Sequence, residues 1–496
     1  MSDLGLQPAQ QPAPAPTVAP EGQPSSDIPM WVVLVAVLVM LAMAAATAFV
    51  LLRDANERTY PARWDTRVAP YVQLVQNERG LFFMHPVEVR FLPAAEFEKS
   101  IAADRLERST EDQTEIEQFT GLMRAFGLLT GDVDLSATVD DFSTGGTLAY
   151  YSWEDERITI RGEKLTPAVR ATLVHELTHV LQDQHFKIGA RLEKLRKDDE
   201  GTSELTMLNA VVEGDAERVR GLYRESLKPR KRKALDAGAR KDLAVARKKL
   251  KQVPKVISTM LTSPYTLGAG LVQAVAEDGG NNKVNLLFRD LPQDETPLLD
   301  PFQALSGTNA TQVGVPELAG GEKKFDAGEF GVLTWYLMLA ERLPLLDALA
   351  AADGWGGDAY VGFKRDGSSC ARMTYAGETP RDTRKMHAAL RRWAAGAAGS
   401  PTKVSRAGDR VRFETCDPGK AAKVGKNASE NAVRLVVTRT SMVLGLLRAD
   451  VPKKMARCLA DRLVYSFPVA KLVDPKFGAG DPVVQARIQQ FAAACR

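Results

Sequence analysis

The spacing of apolar side chains predicts helices through much of the chain. Residues three and four positions apart share one face of a helix, and this pattern occurs at 111–129, 203–226 and 329–351. Thr166 followed by Pro167 is typical of a helix N-terminus, so a further helix is expected over 167–184. Alternating and β-branched runs instead predict strands at 87–92, 149–153, 157–161, 360–364, 370–375 and 411–415.

The first 52 residues differ in character from the rest. Residues 1–29 are rich in Pro, Ala, Gln and Ser and contain no Lys or Arg. Such a stretch cannot bury enough apolar surface to fold, so we expect a disordered tail. Residues 30–52 form an uncharged apolar run that is long enough for a transmembrane helix, with Trp31 as an interfacial anchor. A cleaved signal peptide is the alternative, because Ala44 and Ala46 would permit cleavage.

The length of 496 residues suggests about two or three domains. We expect one domain over 53–350 and an α+β accessory domain over 351–496, which contains all four cysteines. Their even number and the absence of a CxxC motif fit two disulfides formed in an oxidising compartment. We expect the pairs Cys370–Cys416 and Cys458–Cys495. Four reduced, buried thiols in a cytosolic protein are the alternative.

Two indications of membrane orientation disagree. The positive-inside rule places the large domain in the cytoplasm, because basic residues flank the apolar run on its C-terminal side alone, at Arg53, Arg58, Arg63 and Arg67. The expected disulfides favour the opposite side. We therefore expect a single-pass protein with its large domain outside the cytoplasm.

The charge pattern limits the partners. A net charge of +3 is too small to indicate a nucleic-acid partner for the whole chain. Segment 228–255 is the exception, with twelve Lys or Arg against Asp236 and Asp242. The interpretation that we favour is a solvated helical excursion. The alternative is a surface for anionic lipid or an acidic partner.

Histidine is scarce, and three of the five histidines fall between positions 175 and 185. His175 and His179 are four residues apart on the helix predicted over 167–184, so both imidazoles leave from one face. This spacing suits a Zn²⁺ ion, and Glu176 beside the first ligand can act as general base toward a water molecule. Two surface histidines on a charged helix are the alternative. The pattern predicts a metal-dependent hydrolase.

The run from His175 to Phe186, His-Glu-Leu-Thr-His-Val-Leu-Gln-Asp-Gln-His-Phe, resembles the HExxH region of the zincin metallopeptidases. It is also similar to a group of bacterial membrane-anchored zincin-like proteins. The resemblance implies an α+β catalytic domain, with a strand before the active-site helix that lies along the substrate cleft. Segment 157–161 is in the position of that strand.

A catalytic zinc site needs a third protein ligand, and two residues are candidates. The resemblance to the gluzincin subgroup implies Glu213, on the following helix, with Gly214 allowing close backbone approach. His185 has the spacing of the metzincin pattern, but Gln182 replaces the glycine that turns the chain there. In a continuous helix His185 would point away from the metal, so we prefer Glu213.

The resemblance implies two further roles. Glu217 lies four residues after Glu213 and so shares its helix face, as a carboxylate that orients a ligand histidine does in gluzincins. A solvated surface acid is the alternative. Zincins also supply a Tyr, His or Arg from a later segment to stabilise the oxyanion, and Tyr265 is our candidate, with a tyrosine packed in the core as the alternative.

These observations lead to one principal hypothesis. The chain is expected to be a zinc peptidase of the bacterial cell envelope that hydrolyses proteins or peptides, with His175, His179 and Glu213 as ligands and Glu176 as base. A zincin-fold binding or scaffold protein without turnover is the alternative, although the intact Glu176 argues against it.

Overall fold

The computed structural model describes residues 60–103, 110–135, 138, 147–197, 202–249, 253–306, 310–397, 399, 401–422, 425–474, 476–477 and 480–496. The expected tail 1–29 and transmembrane helix 30–52 lie outside these ranges. Among the described residues, no helix combines the length and the apolar character needed to cross a membrane.

A three-stranded sheet precedes the HExxH helix. It consists of β1 (Glu88–Leu92), β2 (Ala149–Ser152) and β3 (Arg157–Arg161) in the order β1-β3-β2. β1 is parallel to β3, and the strands predicted at 149–153 and 157–161 form an antiparallel hairpin as β2 and β3. β3 is therefore the central strand of this sheet, whereas the zincin resemblance implied that segment 157–161 would lie along the substrate cleft.

Eight helices accompany this sheet in the described residues. They are α1 (Ala69–Arg79), α2 (Ala94–Ala103), α3 (Thr110–Ala125), α4 (Pro167–Phe186), α5 (Ile188–Lys197), α6 (Thr202–Ser226), α7 (Pro229–Lys249) and α8 (Lys255–Arg289). The hydroxyl of Thr166 accepts a hydrogen bond from the Val169 amide, so α4 begins at the predicted cap. The predicted basic helix corresponds to α7.

A second, antiparallel sheet follows α8. Its strands β4 (Lys323–Gly328), β5 (Trp355–Arg365), β6 (Ser368–Gly377), β7 (Thr402–Ala407) and β8 (Arg410–Cys416) lie in the order β4-β5-β6-β8-β7. The accompanying helices are α9 (Thr296–Leu299), α10 (Gln303–Ser306), α11 (Val332–Ala340), α12 (Leu345–Ala352), α13 (Pro380–Ala395), α14 (Ser429–Arg448), α15 (Lys453–Ser466), α16 (Val469–Leu472) and α17 (Pro482–Ala492). The chain is thus α+β, as expected.

The prediction of one continuous helix over 329–351 is wrong. Two helices, α11 and α12, occupy this region, and Pro344 precedes the second. Proline has no backbone N–H and its ring clashes with the preceding turn of a helix, so a helix ends before it. The apolar spacing continued through the break because both helices face the same core.

The core is continuous across the domain boundary that we expected near residue 350. Residues Tyr60–Arg496 form one compact unit. One buried cluster contains Trp335 from one side of the boundary and Trp355 and Trp393 from the other, all fully buried. Within the described residues, the packing therefore does not divide at this position.

The cysteine pairs agree with the prediction. Cys370 of β6 is bonded to Cys416, its register partner on β8, and Cys458 of α15 is bonded to Cys495 in the 3₁₀ turn Ala493–Cys495 after α17. The second bond fastens the end of the chain to a helix of the core. No free cysteine occurs among the described residues.

Helices α6 and α8 approach each other closely through glycine. A Cβ atom on Gly214 would lie 2.2 Å from the carbonyl carbon of Gly268, and one on Gly268 would lie 1.9 Å from the Ala210 oxygen. Gly214 permits a close backbone approach, but to α8 and not, as the prediction had it, to the HExxH helix α4. This contact fixes the position of Glu213 on α6 relative to the residues of α8.

Candidate metal centre and cleft

The HExxH residues lie on a helix that is enclosed on several sides. α4 packs against α6, α7 and the β2–β3 hairpin, and Leu173, Leu177 and Val180 are fully buried in it. His175, Glu176 and His179 are each less than a tenth exposed. Buried polar side chains of this kind require partners, and those of the two histidines include carboxylates on α6.

Three side chains of α4 and α6 converge as a metal site requires. The Nε2 atoms of His175 and His179 are 3.0 Å apart. The Oε2 atom of Glu213 lies 3.2 Å from the first and 3.5 Å from the second. The three side chains form a group that could hold a metal ion, and two imidazoles with one carboxylate are a common donor set for Zn²⁺.

The charges at this group favour a bound cation. Burial opposes ionisation of Glu213, but His179 and the hydrogen bond from His175 outweigh it and lower the pKa of Glu213. Burial likewise opposes protonation of His175, while the carboxylates of Glu213 and Glu217 raise its pKa. Paired carboxylates at the imidazoles therefore stabilise positive charge here.

Glu217 lies beside the first histidine, as expected for a carboxylate that orients it. Its Oε1 atom is 3.2 Å from His175 Nδ1. This separation permits an ion pair between the two side chains. It is not an aligned hydrogen bond, and His175 Nδ1 is buried without a hydrogen-bond partner. Glu217 also pairs with Arg220, so its carboxylate is held on the His175 side of α6.

A buried polar network orients the second histidine. His179 Nδ1 lies 3.0 Å from the Gln182 side-chain oxygen, and the Gln182 amide nitrogen donates to the Val212 carbonyl and to Asp215. Asp215 is in turn paired at 2.8 Å with Arg79 of α1. Because the Gln182 nitrogen faces two acceptors, its oxygen accepts from His179 Nδ1–H. When the imidazole is neutral, donation from Nδ1–H leaves the Nε2 lone pair available for a metal.

Glu176 points toward the same region from the adjacent position on α4. Burial raises its pKa, while the charges of His175 and His179 and a hydrogen bond from the Tyr151 backbone amide oppose this shift. Tyr151 is on β2, so the edge strand contacts the carboxylate directly. A raised pKa is suited to a group that takes up a proton and releases it again.

Tyr265 lies on α8 next to the candidate ligands. Its ring stacks near that of His175, with 6.2 Å between ring centroids. Although 40% of the residue is exposed, partial burial and the negative charges of Glu213 and Glu176 raise the pKa of its hydroxyl. The hydroxyl therefore stays protonated and can donate a hydrogen bond at neutral pH.

His185 is not part of the metal group. Its Nε2 atom lies 2.8 Å from the Phe82 carbonyl oxygen, at the end of α4 that leads to Lys187. α4 continues as a helix through Gln182 and His185, which is the geometry that led us to prefer Glu213.

An open cleft of about 960 Å³ runs past the site. It is lined by His175 and Glu176 of α4, by parts of α6, α7 and α8, and by residues 147–149 at the start of β2. The edge strand at the cleft is thus β2 and not β3, because β3 is enclosed between β1 and β2.

The sequence alone did not identify the residues that hydrogen-bond to the ligand histidine His179 and support it. Gln182 was considered only because it replaces a glycine, although a polar residue three positions after His179 on the same helix was a usable signal. Arg79 gave no signal, since it is 136 residues from Asp215 in the chain. Asp215 lies two residues after Glu213, but nothing in the sequence linked it to Gln182.

Comparison with known proteins leaves the family open. No family model, no curated protein and no solved structure matches the chain. The assignment of function therefore depends on the geometry of the site.

Proposed function

We propose that the chain is a membrane-anchored zinc peptidase of the zincin type, acting outside the cytoplasm on proteins or peptides. The observation that carries the proposal is the convergence of His175, His179 and Glu213 beside the buried Glu176 in an open cleft. The donor set, the fixed tautomer of His179 and the charge balance all fit Zn²⁺. Bound there, zinc would supply Lewis-acid activation of water and carbonyl.

The residues of the chain then have distinct tasks. Glu176 accepts the proton of the attacking water and later passes it to the leaving amine, a role suited to its raised pKa. Tyr265 donates its hydroxyl proton in a hydrogen bond to the oxygen that gains negative charge. The edge of β2 offers backbone groups to an extended peptide, and its Tyr151 amide keeps Glu176 oriented.

A comparison of Glu176→Gln with the natural chain tests turnover. Both proteins, as full-length chains in neutral detergent, are incubated with zinc and a mixture of peptides, and new termini are identified by mass spectrometry. We expect cleavage by the natural chain and a loss of about 10²–10⁴-fold in rate on removal of the base. Both should contain equal zinc, because Glu176 is not a ligand.

Equal zinc in both proteins without cleavage by either would contradict the peptidase proposal. It would leave the zincin-fold binding or scaffold protein as the function to pursue. Equal cleavage by both proteins would contradict the role of Glu176.

A further inference from the structure

One side of helix α7 lines the cleft and contributes to the buried core. Leu235 is buried against the cluster that contains Val169 and Val219, and Asp236, Ala239 and Asp242 line the cleft. Asp236 is paired with Arg224 of α6 at 2.7 Å. The helix expected to be a solvated excursion is therefore attached along the cleft that leads to the metal site.

α7 also carries a concentration of positive charge. Segment 228–241 contains seven Lys or Arg and one Asp, although the whole chain has a net charge of +3. Six of these cations are exposed, and none of them forms an ion pair with another described residue: Lys228, Arg230, Lys231, Lys233, Arg240 and Lys241. We name this set the α7 basic surface.

Three cations of the basic surface face away from the buried side of the helix, whereas the exposed Lys231 is only about 40° around the helix from Leu235. At 100° per residue, Arg230, Lys233 and Arg240 lie roughly 140° to 220° around the helix from Leu235. Arg240 and Lys241 are exposed and follow the cleft residue Ala239 directly in the chain, so a polypeptide leaving the cleft beside Ala239 meets these two cations first. Unpaired cations beside a binding cleft attract and orient chains of opposite charge.

We propose that the α7 basic surface binds an acidic segment of the substrate polypeptide, adjacent to the part that enters the cleft. This inference depends on the proposed peptidase function and names its substrate class. A membrane-surface helix would present large apolar side chains on its exposed side. Among the side chains of α7 that the structure describes, Leu235 is buried and Val245 is the one large apolar side chain that is exposed. The helix also lacks aromatic residues on which nucleic-acid bases could stack.

Charge reversal on α7 tests the proposal, with a matched control on α13. The test variant carries Arg230→Glu, Lys233→Glu and Arg240→Glu. The control variant reverses three exposed arginines of α13 and so makes the same change in net charge: Arg381, Arg384 and Arg391. Both are made as full-length chains with Glu176→Gln, so that binding is measured without turnover.

Binding of a fluorescein-labelled peptide rich in Asp and Glu is followed by anisotropy at several salt concentrations. We expect the α7 variant to bind about tenfold more weakly, and the control to bind like the parent, with affinity that falls as salt screens the charges. Because no cleavage is measured, this result stands apart from the success or failure of the peptidase test.

Two results would overturn the proposal. One is peptide binding that is equally strong in the parent and both variants. The other is an α7 variant that binds the peptide normally but loses binding to phosphatidylglycerol vesicles or to a duplex DNA, which would assign the surface to a membrane or to nucleic acid.

Discussion

At the residue scale, the candidate site combines side chains that the sequence identifies with others that it does not. His175, Glu176 and His179 are within five positions of one another on one helix, so helix geometry alone brings them together. Glu213 required the resemblance to gluzincins, because its place opposite α4 depends on how α6 packs. The Gln182–Asp215–Arg79 network joins three helices and has no local pattern, so it could be found only in the folded chain.

Gln182→Ala should weaken metal binding although Gln182 is not a ligand. Without its side chain, the Nδ1–H of His179 loses its acceptor and the imidazole is no longer held in one orientation. We expect zinc affinity to fall by about 10–100-fold, measured by competition with a chromogenic chelator. Gln184→Ala is the control, since the Gln184 side chain hydrogen-bonds to the backbone of His85 and Met84 and not to a ligand. An equal loss of zinc affinity in both variants would contradict the orienting role of Gln182.

Glu295→Gln should change how stability depends on pH. Burial, with the charge of Glu329, raises the pKa of Glu295 to about 8, so the folded chain keeps a proton that the unfolded chain releases near its ordinary value of 4.5. The stabilisation is complete below pH 4.5 and is lost as pH rises through 8. Glutamine stays neutral, so the variant should lack this loss, which amounts to a few kcal/mol.

Urea denaturation at several pH values between 4.5 and 9 measures this effect. The same substitution at the exposed Glu154 provides the control. If the free energy of unfolding changed with pH in the same way for Glu295→Gln and for the natural chain, the buried carboxyl of Glu295 would not be the source of the pH dependence.

At the scale of the elements, helix caps and apolar periodicity in the sequence predicted where helices begin. They did not predict how the helices and strands are arranged in space. The Thr166 cap and the periodicity of 203–226 predicted α4 and α6 closely. The central position of β3 was not predictable in this way. It results from parallel pairing with β1, whose register joins Val89 to Ile158, and pairing between strands so far apart in the chain leaves no short-range pattern.

Gly214→Ala should destabilise the chain because α6 and α8 are too close for a methyl group. The new Cβ would lie 2.2 Å from the backbone of Gly268, so the helices must separate, at a cost of about 1–3 kcal/mol. Gly221→Ala on the same helix is the control, since no atom lies within 4 Å of its Cβ position. There alanine should instead stabilise the helix by about 0.5–1 kcal/mol.

Chemical denaturation monitored by circular dichroism compares these two alanine variants. If both shifted stability in the same direction by the same amount, the close contact between α6 and α8 would not contribute to stability as the geometry indicates.

At the scale of the whole molecule, the domain boundary expected near residue 350 does not correspond to a division in packing. α11 and α12 on one side and β5 and α13 on the other share a single core. Near this position the chain passes from α11 and α12 into the longer strands of the second sheet. The cysteines were more informative, since both disulfides lie within this part and hold β6 to β8 and the C-terminal end to α15.

The metal site depends on this whole arrangement, because α1, α4, α6 and α8 each contribute to it. Arg79 fixes Asp215 from α1, and Gly268 of α8 permits the approach that positions α6. The ligands are held in position by residues from distant parts of the chain. The metal site should therefore form only in the folded protein.

The most direct test of the account is the metal content of the purified full-length chain, measured by elemental mass spectrometry after zinc add-back and without chelators. We predict about one zinc per chain, largely lost in Glu213→Ala and retained in His185→Ala. Absence of zinc in the natural chain, or its loss from His185→Ala but not from Glu213→Ala, would contradict the central claim that His175, His179 and Glu213 hold the metal.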